Sequence, residues 1–94
     1  MADRGLLTKV LPSIRRMRQL AYKKIFEGLN YFEEKELEYG IQVYPTMQNL
    51  SKDKRRALKS IIGILIVNED GGFYEMKEKV REHKLDYKQI YGVF

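Results

Sequence analysis

Cysteine is absent from this chain, which excludes disulfides, thiolate zinc sites, iron–sulfur ligation and a cysteine nucleophile. Long apolar runs are missing too, since none approaches the roughly 18 residues of a membrane-spanning helix. The opening stretch "MADRGLLTKVLPSIRR" lacks the continuous apolar centre of a secretory signal. The first 24 residues have the Arg-rich, acid-poor composition of a transit peptide, yet removing them would strip a small core of a long amphipathic segment. A soluble, cytoplasmic protein is therefore expected. Nor is there a P-loop, a dinucleotide-binding glycine pattern or a serine elbow. The one histidine, His83, lies among Arg81, Glu82 and Lys84 at what reads as a solvated helix end, where spacing offers a catalytic base no partner.

What is present is enough for one domain, residues 1–94. A chain of this length buries only about 60–65% of the surface it exposes when unfolded, so the core is modest and a large catalytic cleft is not expected. Leu, Ile, Val, Phe and Tyr are spread along the whole chain, unlike in a disordered tail. Pro12, Gly28, Gly40, Pro45, Gly71, Gly72 and Gly92 read as turn or boundary marks.

A first helix opens near Pro12-Ser13. Val10, Ile14, Met17, Ala21, Ile25, Leu29 and Phe32 then recur at steps of three and four, a stripe that predicts helix into the high thirties, kinked or divided at Gly28. "GIQVYPTMQN" alternates briefly before Pro45 and reads as a loop or one short extended segment. Asn49-Leu50-Ser51 fits the N-glycosylation pattern, but without a signal segment Ser51 is of more use as the cap of a second helix beginning at Lys52. In that helix Leu58, Ile61, Ile62 and Leu65 take the inner positions. "NEDGG" ends it. A third helix would turn Phe73, Met76 and Val80 inward, and Asp86 would cap a last short one carrying Tyr87, Ile90 and Tyr91. The fold class is all-α, a small bundle of four to five helices, with a short β-hairpin around residues 64–76 as the alternative, because short β-branched runs suit either structure.

Charge is segregated along the chain. Residues 1–27 hold seven Lys/Arg against two acids, 28–48 one against four, 49–62 five against one, and 63–94 five against six. Glu33, Glu34, Glu36 and Glu38 cluster, but consecutive helical positions spread their carboxylates around the axis. Only Glu34 and Glu38 share a face, so a solvated acidic surface is expected and not a metal site. No metal or cofactor is expected.

The cations point elsewhere. Arg15, Arg16, Arg18 and Lys23 flank the polar side of the first helix, and Lys52, Arg55, Arg56 and Lys59 that of the second. Packed side by side, the two faces would present a basic surface that attracts phosphates, releases their counterions and binds without sequence preference. Arginine adds fork-shaped donors suited to phosphate. Nucleic acid, DNA or RNA, is the expected partner of a regulatory, non-enzymatic protein. Seven tyrosines allow base stacking, although Tyr22, Tyr74 and Tyr91 lie close to buried stripes. The alternative is a protein-interaction adaptor or inhibitor, a homodimer among the options, acting through apolar surface at Ile66 and Val67 or the terminal "IYGVF". The first helix is basic and amphipathic, but its apolar side continues the core pattern, so no membrane partner is expected.

Overall fold

A computed structural model describes residues 10–86. The short last helix expected at Tyr87, Ile90 and Tyr91, and the "IYGVF" patch, lie outside the described residues.

Four α-helices and one 3-10 turn make up the described chain, with no strand among the described residues. Helix α1, Ile14–Phe26, starts where expected, with the Arg16 backbone N–H donating to Ser13 Oγ at 3.0 Å. It stops at Gly28, whose φ of +96° favours a residue without Cβ, while the N–H groups of Glu27 and Gly28 both close on the Lys23 carbonyl. Asn30 then caps α2, Tyr31–Val43, in a reciprocal box. Its side chain accepts from the Glu33 backbone N–H at 2.8 Å, and its own N–H donates to the Glu33 carboxylate at 3.0 Å. The long stripe is thus two helices, and Phe32, expected inside, is exposed, as is Val10.

α2 also runs further than expected. The predicted loop or extended segment around Pro45 is replaced by the end of α2 and a 3-10 turn, Tyr44–Thr46. Tyr44 keeps a helical backbone despite preceding a proline, which ordinarily disfavours it. Its buried ring is held by a hydroxyl that donates to the Pro12 carbonyl at 2.5 Å, and burial pushes the phenol pKa up.

α3, Lys52–Glu69, is capped by Ser51, whose Oγ accepts from the Lys54 N–H. It carries "ILIV" within its length, so the hairpin around residues 64–76 does not form. Ile64 and Leu65 extend the helical inner face, and the Gly71 turn leads into α4 instead of a returning strand. α4, Tyr74–His83, ends at Lys84 in the left-handed region, φ 53°.

α1 is central and packs against each of the other helices. Met17, Leu20 and Ala21 meet Leu37, Tyr44, Leu58 and Ile61 in the main core. A smaller cluster joins Tyr22 and Ile25 to Phe26, Ile64 and Phe73. Gly40 lies so close to Met17 that a Cβ there would sit 2.6 Å from the sulfur, which explains why α2 carries a glycine in a helical, buried position. α4 contributes no fully buried residue: Phe73 and Val80 are half-buried, while Met76 and Tyr74, expected near a buried stripe, are exposed. Among the described residues, no helix is long and apolar enough to cross a membrane.

Candidate nucleic-acid interface

The acidic run of α2 is not a solvated face. α1 and α2 form an antiparallel hairpin, and the glutamates close on the cations of α1. Arg16 grips Glu36 with Nε and a terminal guanidinium nitrogen, each 3.1 Å from its own carboxylate oxygen. Lys23 meets Glu33 at 2.6 Å, and Lys24 meets Glu34. Glu33 serves twice, giving one oxygen to Lys23 and the other to the Asn30 cap. Its pKa is lowered, first by the Lys23 hydrogen bond and then by the Asn30 N–H. The Arg16 guanidinium is correspondingly held in its charged form by Glu36.

Arg55 is also engaged internally. Its guanidinium donates to three main-chain carbonyls, of Leu50 at 3.0 Å and of Met47 and Gln48 at 3.3 Å each. It ties the connector between the 3-10 turn and α3 to the first turn of that helix. A planar fork with several fixed donors fits three carbonyls in a way a lysine ammonium does not.

Arg16, Lys23 and Arg55 are therefore among the eight cations singled out from the sequence that have structural partners. Arg15 is exposed on α1, and Arg18 is half-buried near Tyr22, where its charge opposes the rise in pKa that burial gives that phenol. Lys52, Arg56 and Lys59 stand at i, i+4 and i+7 on the outer side of α3, all exposed and none in an ion pair among the described residues. Their line is about 10 Å long at 1.5 Å per residue. Lys54, which a search restricted to the outward stripe passes over, is exposed in the same two turns, where Asp53 is the only acid. At 3.6 residues per turn it stands about 200° round the axis from both Lys52 and Arg56, beside Leu11, Tyr44 and Met47, and so lies off their line.

Among the described residues no three His, Cys, Asp or Glu side chains are grouped so as to hold a metal ion, and His83 is exposed in the last turn of α4. Exposed aromatic rings do occur at Tyr31 and Phe32, packed edge to face 5.5 Å apart with the Lys35 ammonium over the Tyr31 ring. Past Lys59 the outer side of α3 turns apolar, and Ile66 and Val67 are 54% and 46% exposed. No protein-family model matches the chain, and neither does any curated protein or solved structure.

Proposed function

We propose that the protein binds nucleic acid through the phosphate backbone, using Lys52, Arg56 and Lys59 on the first two turns of α3. The observation that carries this reading is the contrast between two basic helices. α1 spends Arg16, Lys23 and Lys24 on the glutamates of α2, whereas Lys52, Arg56 and Lys59 of α3 make no ion pair among the described residues. Cations without a partner in the fold are free to neutralise phosphates and so release the counterions condensed on a nucleic acid. Nothing in the array reads bases, so affinity without sequence preference follows, consistent with a regulatory or packaging role and not with catalysis.

Fluorescence anisotropy with mixed-sequence DNA and RNA tests this. Three phosphate contacts give log K against log salt a slope of about −2 to −3. Absence of binding to either nucleic acid at about 50 mM salt refutes the reading, because such contacts are strongest there.

The exposure of Ile66 and Val67 favours a second reading, a protein-binding adaptor. A nuclease-treated pull-down that returns one partner in fixed stoichiometry, with no retained nucleic acid, would support it over the first.

A further inference from the structure

We infer that the outer side of α3 is also a self-association face, on which two copies pack antiparallel about Gly63 with Arg56 of each copy against Asp70 of the other. Gly63 is the starting observation. A glycine inside a helix is unfavourable relative to alanine and needs a reason. At Gly40 the reason is Met17, but a Cβ built on Gly63 meets nothing within 4 Å. Its own chain gives Gly63 no neighbour to accommodate.

The residues around it supply the neighbour. Gly63, Ile66, Val67 and Asp70 stand at i, i+3, i+4 and i+7, the four positions that frame a hole on a helix surface for a knob from a facing helix. Ile66 and Val67 are the exposed aliphatic walls of that hole, and the missing Cβ of Gly63 deepens its floor.

Charge then selects the occupant. Arg56, Gly63 and Asp70 are seven residues apart, two turns, and so share one line along α3. Arg56 and Asp70 are both exposed, and neither makes an ion pair among the described residues. A second copy laid antiparallel about a two-fold axis at Gly63 brings Arg56 to Asp70 at both ends at once. The same register sets Val67 along the aliphatic stem of the other copy's Lys59. A parallel pair would set arginine on arginine and aspartate on aspartate, which opposes it. The face is self-complementary, as an isologous contact must be.

Sedimentation equilibrium on the full chain at about 200 µM and about 100 mM salt tests the inference. The expected mass is twice the 11.2 kDa of one chain. Arg56→Asp and Asp70→Arg each weaken association roughly tenfold or more, and the two together restore it, since the swapped charges meet again across the two-fold. Gly63→Gln fills the contact and gives a monomer whose far-UV circular dichroism is unchanged, because the monomer has room for the side chain. A wild-type monomer under these conditions overturns the inference. So does a double variant that stays as weak as the single ones, or a Gly63→Gln protein that still dimerises. Arg56 and Lys59 serve either the second copy or the phosphates, not both at once, whereas Lys52 lies beyond the contact, so loss of nucleic-acid affinity in Lys52→Ala is read independently of the mass.

Discussion

Arg16 and Glu36 face each other across the α1–α2 hairpin through two parallel hydrogen bonds of 3.1 Å. That pair, with Lys23–Glu33 and Lys24–Glu34 beside it, makes the acidic helix the counter-charge of the first basic one. Arg16→Ala is expected to lower stability by about 0.5–1 kcal/mol, as for a partly exposed bidentate pair. Its nucleic-acid affinity should stay within about twofold of wild type, because Arg16 is already engaged. Urea unfolding and anisotropy on the same preparation check both.

Glu33 makes the hairpin sensitive to acid. Lys23 and the Asn30 N–H favour its ionised form in the folded protein, so its pKa there lies below the unfolded value of about 4.3. The resulting stability is fully present above that unfolded value and is lost as pH falls through the lower folded one. Glu33→Gln keeps an acceptor for the cap but has no charge to lose. Between pH 7 and pH 3 the urea midpoint of wild type should therefore fall further than that of Glu33→Gln.

Two glycines in helices should respond oppositely to a larger residue. Gly40→Val drives a side chain into Met17 and should cost about 1–3 kcal/mol, because the core has no room to relax. Gly63→Ala meets nothing and should raise the stability of the monomer by up to about 1 kcal/mol. Thermal or urea unfolding at low protein concentration compares them.

Arg55→Lys should loosen the connector before α3 and cost about 1 kcal/mol, since one ammonium cannot serve the carbonyls of Met47, Gln48 and Leu50 from the guanidinium's positions. Faster amide exchange at residues 47–50, with little change in α1, is the expected signature.

The all-α class, the cap at Ser51 and the core positions Met17, Ala21, Ile25, Leu58 and Ile61 were legible in the sequence, because each rests on local spacing, whereas buried Leu20, Leu37 and Tyr44 lay outside the stripes that spacing marked. The break at residues 27–30 was only half legible. The apolar stripe runs on through Leu29 and Phe32, while the Asn30-x-x-Glu33 box, a local signal for a new helix, competes with it. α2 outran its expected end because Tyr44 is fixed by a bond to Pro12, 32 residues away. Pairing was the part hidden from a charge count. The totals by segment identify two basic stretches, but Arg16 and Glu36 are 20 residues apart, and only the folded hairpin decides which stretch is neutralised. Arg55 was misleading for a related reason, since backbone carbonyls carry no signature in the sequence.

The claim that α3, and not α1, carries the free basic charge is tested most directly by the salt dependence of binding to a mixed-sequence duplex. Lys52→Ala/Lys59→Ala should reduce the slope of log K against log salt by about 2, whereas Arg16→Ala/Lys23→Ala should leave it unchanged. Equal reductions from the two pairs, or a reduction from the α1 pair alone, would contradict the account.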